Sequence, residues 1–177
     1  MGNNKPFHAP NPVNVVENGV MSVDSCDNGY IFLKQDGSLW ASGNLSRYWN
    51  EDLPSFEPIR LLENNVTQAK VLDEFIYYSL SNNEHFIKHK YGTYNIYSGF
   101  ARDVVFAKTS SRYNLFLVTN NGDLLCFTKP RNGYSGDWQE SKVAINVSKL
   151  LSSNFPFSYK DVDNNVFIQN PNSLDGA

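Results

Sequence analysis

Short apolar runs alternate with polar turns rich in Gly, Asn and Asp along most of the chain, a pattern that predicts many short β-strands. The clearest example lies between residues 20 and 44. There an apolar run ending at Leu33 is followed by the pair Asp36-Gly37 and by a second strand-like segment that contains Trp40. Asp-Gly is typical of a two-residue hairpin turn, because such a turn requires positive backbone φ angles. We therefore expect a β-hairpin in this stretch.

The hairpin pattern recurs along the chain. Turn-competent pairs follow at Asn82-Asn83, Asn121-Gly122 and Asn164-Asn165, so that successive turns are 46, 39 and 43 residues apart. A period of roughly forty residues is the signature of a repeat protein, whose units bury their apolar faces against one another. The predicted organisation is a flexible leader at 1–11, a single repeat domain at 12–170 and a tail at 171–177. The four repeats cover about 12–57, 58–95, 96–142 and 143–170.

The second repeat can be drawn either with strands or with a helix, since its apolar residues also fit helical spacing in part. Two observations favour strands. Ile76 and the two tyrosines that follow it are residues that strands prefer, and the interval from Val66 to Asn83 has the same length as the corresponding interval in the first repeat. A short helix at 61–72 remains the alternative.

Composition places the chain among globular proteins. Its 177 residues are enough for one domain with a core, and 41% hydrophobic with 14% aromatic content is too high for a disordered chain. A formal net charge of -3 without a basic run argues against nucleic-acid binding. No apolar stretch reaches about 18 residues and the first residues lack the apolar core of a signal peptide, so we predict a cytoplasmic protein that does not bind membranes. Cys26 and Cys126 are expected to be free thiols.

One segment carries a resemblance to a known family. Residues Asp36 to Asn44, DGSLWASGN, followed by a long loop and Pro58, resemble the regulator-of-chromosome-condensation repeat, and residues 121–125 with 132–137 are the second-best copy. The resemblance implies an all-β fold, a β-propeller in which each repeat supplies about four short antiparallel strands, with Trp40 packed between blades. Four repeats leave three alternatives: a small closed ring, a half-ring that dimerises, or a fragment of a longer chain.

Candidate chemistry in the sequence is sparse. His85 and His89 would lie on the same face of a strand, where they could bind a metal, but no third ligand is close in sequence. The favoured interpretation is two partly exposed structural histidines. No nucleophile motif and no phosphate-binding glycine loop is present. We therefore expect no cofactor and no enzymatic activity, with a metal-dependent enzyme that uses the two histidines as the least favoured alternative.

The connections that follow the hairpin in three successive repeats indicate a function more clearly than these candidate catalytic and metal-binding residues do. In a propeller such equivalent loops emerge on one face, and Tyr, Trp and Arg among Gly, Ser and Asn are typical of a protein-binding surface. The candidate partner-binding residues are Arg47, Tyr48, Trp49, Tyr91, Tyr94, Tyr97, Arg131, Tyr134 and Trp138. The alternative is that these aromatic residues cover blade edges or fill a central channel.

The resemblance also implies a binding function, because members of that family act by binding partners. One eukaryotic branch promotes nucleotide exchange on a small nuclear GTPase, and one bacterial branch inhibits β-lactamases through an aromatic propeller face. We therefore predict a non-enzymatic protein–protein interaction module, with an inhibitor or a toxin-neutralising immunity protein as the narrower hypothesis. A carbohydrate-binding propeller is the alternative, since aromatic rings between blades can also stack on sugars.

Overall fold

A computed structural model describes residues 18–45, 58–62, 64–89, 92–108, 112–130, 138–151 and 157–169. Within these ranges the chain forms fifteen β-strands. The strands are β1 (Val20–Cys26), β2 (Gly29–Lys34), β3 (Leu39–Ser42), β4 (Ile59–Leu62), β5 (Val66–Leu72), β6 (Phe75–Leu80), β7 (Glu84–His89), β8 (Gly92–Ser98), β9 (Ala101–Lys108), β10 (Arg112–Thr119), β11 (Leu124–Pro130), β12 (Gln139–Ala144), β13 (Val147–Leu150), β14 (Phe157–Asp161) and β15 (Val166–Gln169).

The strands form four antiparallel sheets, each of which follows the order of the chain. Sheet 1 contains β1 to β4, sheet 2 β5 to β8, sheet 3 β9 to β12, and sheet 4 the three strands β13 to β15. The all-β prediction is therefore confirmed. The helical alternative at 61–72 is wrong, because this stretch contributes the end of β4 and the whole of β5. The leader at 1–11 and the tail at 171–177 lie outside the described residues.

The sheets are offset from the repeats drawn on the sequence. β4, which follows the second repeat's opening at Pro58, pairs with β3 and so completes sheet 1. In the same way β8 and β12 complete sheets 2 and 3, although the sequence repeats end at 95 and 142. A strand pattern shows that a strand is present but does not say which neighbour it pairs with, and this explains the offset.

The hairpin turn has the same geometry in all four sheets. A backbone N–H closes each turn onto a carbonyl three residues earlier, and the donor residue has a positive φ angle. These donors are Gly37, Asn83, Gly122 and Asn164, with φ angles of 76, 63, 83 and 69°. Asn and Gly are the residues that tolerate this left-handed conformation. The repeated turns predicted from the sequence are therefore present.

The prediction of a two-residue loop is wrong. The N–H of Lys34 donates to the carbonyl of Ser38 at 3.0 Å, so three residues separate the paired strand ends, and only Gly37 is left-handed. This arrangement matches a type I turn followed by one left-handed residue. In sheet 4 the left-handed residue is Asn164. By comparison with the other three turns, the turn pair is therefore Asp163-Asn164, and the predicted pair Asn164-Asn165 is displaced by one residue.

Three apolar cores lie between consecutive sheets, one for each of the three neighbouring pairs. Sheets 2 and 3 contribute to two cores each. Their second strands are accordingly buried on both faces, from Phe75 to Ser79 in β6 and from Tyr113 to Thr119 in β10. Each large apolar side chain buried in this way contributes about 1.5–3 kcal/mol to folding. The cores thus join the four sheets into one array.

Backbone hydrogen bonds repeat at the three sheet junctions. The carbonyl of the left-handed turn residue accepts from an N–H at the start of the next sheet: Gly37 from Val66 at 3.0 Å, Asn83 from Gly99 at 2.9 Å and Gly122 from Val147 at 2.9 Å. Two first-strand aspartates add side-chain bonds across junctions. Asp24 accepts from the N–H of Val71 at 2.8 Å, and Asp103 accepts from that of Leu150 at 2.9 Å.

Sheets 1 and 4 are the two ends of the array. No core formed by the described residues joins them, so a closed ring is not part of the described structure. Trp40 lies on sheet 1 but belongs to none of the three cores. The expectation that Trp40 packs between sheets is therefore wrong for the described residues.

Both cysteines are free, as predicted. Cys126 is buried in the third core, and burial raises the pKa of its thiol to about 11. Among the described residues, no helix combines the length and apolarity that crossing a bilayer requires.

Gly37 offers a test of the junction geometry. A Cβ at this position would lie 2.8 Å from the backbone nitrogen of Asn65, the residue directly before β5 of sheet 2. A Cβ at Gly19 would meet nothing within 4 Å. Both glycines are left-handed, so Ala at either costs roughly 1–2 kcal/mol of strain. We expect Gly37→Ala to lower the free energy of unfolding clearly more than Gly19→Ala in urea titrations. Equal losses would show that the close contact does not matter for stability.

Candidate functional site

Three of the nine predicted partner-binding residues lie in the described part of the chain. Tyr94 and Tyr97 are on β8, and Trp138 immediately precedes β12. The other six, Arg47, Tyr48, Trp49, Tyr91, Arg131 and Tyr134, lie outside the described residues, and their role stays a prediction.

Tyr94 and Trp138 belong to different sheets and line the same cleft. Tyr94 is on the fourth strand of sheet 2, and Trp138 leads into the fourth strand of sheet 3. The cleft between them has a volume of about 460 Å³ and is lined by Thr93, Tyr94, Asn95, Ile96, Phe127, Trp138 and Glu140. We call it the aromatic cleft. Folding thus brings together two aromatic residues that the sequence places in the connections of different repeats.

A buried lysine lies behind these two aromatic side chains. Lys129, on β11, is buried, and its Nζ is 5.1 Å from the ring centre of Tyr94 and 6.0 Å from that of Trp138. The ring of Phe75 lies 5.8 Å from the same nitrogen and meets Trp138 edge-on, with 5.5 Å between ring centres. An ammonium group within about 6 Å of an aromatic face is attracted to it, more strongly where water is excluded. Lys129 and Phe75 therefore hold the walls of the aromatic cleft in place.

Neither Lys129 nor Phe75 was identified from the sequence. Leu125 and Phe127 on β11 contribute to the core between sheets 2 and 3. Lys129 continues the same two-residue alternation, so a lysine occupies a strand position whose neighbours on that face are apolar. This break in the pattern is the signal that could have found it.

The indole nitrogen of Trp138 is buried, yet it has no hydrogen-bond partner among the described residues. An indole N–H can only donate, and a buried donor left unsatisfied costs about 1–3 kcal/mol. An acceptor on a ligand that reached this nitrogen would remove that cost.

Tyr97 has a different environment from Tyr94. Its ring centre is 5.3 Å from that of His85, and it packs against the core between sheets 2 and 3. A Cβ added to Gly99 would come within 2.6 Å of the Tyr97 hydroxyl, so the phenol lies directly over this glycine. Burial, with a smaller effect of Asp123, raises the pKa of the phenol. Tyr97 thus packs against protein groups and does not line the aromatic cleft.

His85 is fixed in one tautomer by its neighbours. Its Nε2 lies 2.7 Å from the carbonyl oxygen of Gly99, which can only accept, so Nε2 carries the proton. Nδ1 lies 2.8 Å from the hydroxyl of Tyr77 and accepts from it when the ring is neutral. Desolvation by burial is the main reason that the pKa of His85 is lowered.

His89 lies closer to the aromatic cleft. Its Nε2 is 3.2 Å from a carboxylate oxygen of Glu74, and its ring stacks on Phe75 with 4.8 Å between centres. Burial lowers the pKa of His89; its hydrogen bond to the Glu74 carboxylate and the charge of that group oppose this shift, whereas the charge of Lys129 adds to it. Both histidines point to the same face of β7, as predicted, but they are buried and not partly exposed.

The described residues contain no group of three or more His, Cys, Asp or Glu side chains that could hold a metal ion. His85 and His89 are each engaged with protein groups, Gly99 and Tyr77 in one case and Glu74 in the other. The absence of a cofactor and of enzymatic activity stays a prediction.

A second aromatic surface lies on sheet 1. Tyr30, Phe32 and Trp40 share the face opposite to the first core, and Val23 pairs with Phe32 on the same face. We call these four residues the front face of sheet 1. Two charged side chains approach the Trp40 ring: the charged groups of Lys34 and Arg60 are 5.6 and 5.0 Å from its centre. Its indole nitrogen donates to the hydroxyl of Ser38 at 2.9 Å.

Comparisons with known proteins do not place the chain in a family. No family model matches it, and no curated protein matches it significantly. Its structure is similar to that of PorZ, an essential surface component of the type-IX secretion system of Porphyromonas gingivalis, with 15% identity and a TM-score of 0.46 over 85% of this chain and 21% of PorZ. It is also similar to the computationally designed Ika4 protein, with 10% identity and a TM-score of 0.46 over 88% and 92% of the two chains. The resemblance to regulator-of-chromosome-condensation repeats stays a prediction.

The two buried histidines predict how stability depends on pH. Their pKa values are lowered in the folded state, so the unfolded chain binds more protons as the pH falls through its ordinary histidine pKa of about 6.5. The free energy of unfolding should therefore decrease from about pH 7.5 to about pH 5.5, above the range in which carboxylates titrate. Urea titrations at several pH values measure this dependence.

A double variant, His85→Gln with His89→Gln, separates the histidines from other groups. Gln keeps hydrogen-bonding capacity but does not titrate, so the slope of unfolding free energy against pH should flatten in the variant. An unchanged slope would assign the pH dependence to groups other than these two histidines.

Proposed function

We propose that this protein is a non-enzymatic interaction module with a propeller-like arrangement of four blades, which docks another protein at the aromatic cleft. An inhibitor or a toxin-neutralising immunity protein is the narrower hypothesis, and a cytoplasmic location is proposed with it. The family resemblance of Asp36 to Asn44 supports a binding role. No catalytic residue is proposed.

The observation that carries this proposal is the convergence of Tyr94 and Trp138 from two sheets onto one cleft. The rings rest on the buried Lys129 and, for Trp138, on Phe75, so they keep their orientation without a ligand. A rigid aromatic wall loses little conformational entropy on binding. This makes the two residues suitable anchors for a partner side chain.

The surroundings of the two anchors also fit a protein partner. Thr93, Asn95 and Glu140 line the cleft and are exposed to solvent. Binding hot spots are typically aromatic residues enclosed by polar residues that contribute little energy but exclude water. The aromatic cleft has this composition on a small scale.

Carbohydrate binding is the second candidate, and one observation favours it. The indole N–H of Trp138, for which the described residues supply no acceptor, is a donor that a sugar hydroxyl could accept from, while Asn95 and Glu140 supply further polar groups beside the aromatic walls. Aromatic faces combined with amide and carboxylate groups are suited to sugars, which present apolar C–H faces and hydroxyls.

Alanine substitutions in the aromatic cleft test the protein-binding proposal. A partner is first identified by affinity purification and mass spectrometry, and its affinity is then measured by calorimetry. We expect Tyr94→Ala and Trp138→Ala each to weaken binding by about 2 kcal/mol or more, roughly thirtyfold, because anchor aromatics carry much of the binding energy.

Phe100→Ala is the matched control, since Phe100 is an exposed aromatic residue that does not line the aromatic cleft. Circular dichroism verifies that each variant is folded. Unchanged affinity of both cleft variants would contradict the proposed site. If the protein instead captures a glycan that free sugar elutes, and no protein partner is recovered, the carbohydrate alternative replaces the proposal.

A further inference from the structure

The two ends of the array expose surfaces that the same fold buries elsewhere. At each internal junction a turn carbonyl bonds the start of the next sheet, but no described residue donates such a bond to the carbonyl of Asn164, the fourth copy of that turn residue. As far as the described residues go, the array therefore ends with an unused junction beyond sheet 4, and a matching unused junction precedes sheet 1.

Sheet 1 has the surface that receives a preceding sheet. Strand pairing puts Val23 and Tyr30 at the positions that Ala69 and Ile76 hold in sheet 2. Ala69 and Ile76 are 8% and 0% exposed because they pack against sheet 1. Val23 and Tyr30 are 55% and 49% exposed. Equivalent positions are thus buried where a described sheet precedes them and exposed at sheet 1, which no described sheet precedes.

Sheet 4 has the complementary surface. Strand pairing puts Val166 and Ile168 at the positions of Leu39 and Ala41 in sheet 1. Leu39 and Ala41 are 0% exposed against sheet 2, whereas Val166 and Ile168 are 60% and 71% exposed. Ser158 and Lys160 pair with Ile168 and Val166 on the same face. We call these four residues the back face of sheet 4.

We propose that the back face of sheet 4 docks on the front face of sheet 1 of a second copy of this chain. The contact repeats the packing of the three internal junctions, so it continues an interface that the chain already forms three times. Each chain carries both halves of it. Association of identical chains therefore needs no surface that the fold does not already provide.

The polar residues on the back face fit a junction that forms between separate molecules. Ser158 and Lys160 hold the positions of Ile31 and Leu33, which are buried in the first core. A serine and a lysine keep this face hydrated before assembly, and a lysine can place its ammonium group over an aromatic ring. The front face supplies such rings in Tyr30 and Phe32, whose centres are 6.4 Å apart.

The contact is heterologous, because one face binds a different face. Two such contacts related by a two-fold axis close a dimer in which eight sheets form one ring, and no apolar end face remains open. The aromatic cleft lies at the junction of sheets 2 and 3, so this proposal does not depend on the proposed function.

Light scattering coupled to gel filtration tests the proposal. The unmodified chain should elute with twice the mass of one chain. Val23→Arg on the front face and Ile168→Arg on the back face should each abolish the dimer, because each disables one half of both contacts. Both side chains are exposed in the single chain, so the variants should fold.

Mixing the two variants identifies the geometry. The Val23→Arg chain keeps an intact back face and the Ile168→Arg chain an intact front face, so the mixture should form a one-to-one complex that neither variant forms alone. Phe100→Arg is the control, since Phe100 is 54% exposed and lies between sheets 2 and 3, away from both ends. It should leave the dimer unchanged.

Three results would overturn the proposal. A monomeric unmodified chain at its highest soluble concentration excludes the second copy as the occupant. Dimerisation that only Val23→Arg abolishes indicates that two front faces meet instead. Loss of the dimer in Phe100→Arg to the same extent as in the end-face variants shows that the effect is not specific to these faces. Circular dichroism of every variant excludes misfolding as the cause.

Discussion

The structure depends on the burial of both faces of a β-sheet. A four-stranded sheet whose two faces are apolar cannot cover itself, and it becomes stable only between two neighbours. The strand β6 shows this constraint directly: Ile76 and Tyr78 enter the first core, while Phe75 and Tyr77 enter the second. Each sheet therefore requires the next one. The stacking that results gives the chain its repeat architecture and leaves apolar sheet faces exposed at the two ends of the described array.

The hairpin turn connects local backbone chemistry to this stacking. One left-handed residue, Gly or Asn, closes the turn within a sheet and at the same time directs its carbonyl toward the following sheet, as Gly37 does toward Val66. The two roles belong to a single residue. This explains why the turn is more regular than the rest of the repeat, since a change in its geometry disturbs both the hairpin and the junction.

What the sequence could predict was local. The turns, the strand at β5 and the free cysteines follow from residues close together in the chain, and they are present. The partner of β4 could not be predicted, because an apolar strand pattern is compatible with either neighbour. The aromatic cleft was found in part: composition identified Tyr94 and Trp138, but their support by Lys129 joins segments that only packing brings together.

Two lysines show how side-chain alternation can indicate more than strand position. Lys129 occupies a core-facing position of β11, beside the aromatic cleft, and Lys160 occupies the position of Leu33 on the outermost sheet. A buried ammonium group costs folding free energy unless other groups compensate it, so a lysine at an apolar strand position requires an explanation. In the first case the explanation is a set of aromatic rings. In the second case the face is open to solvent in the single chain, which removes the cost, and the sheet is the last one in the described part of the array.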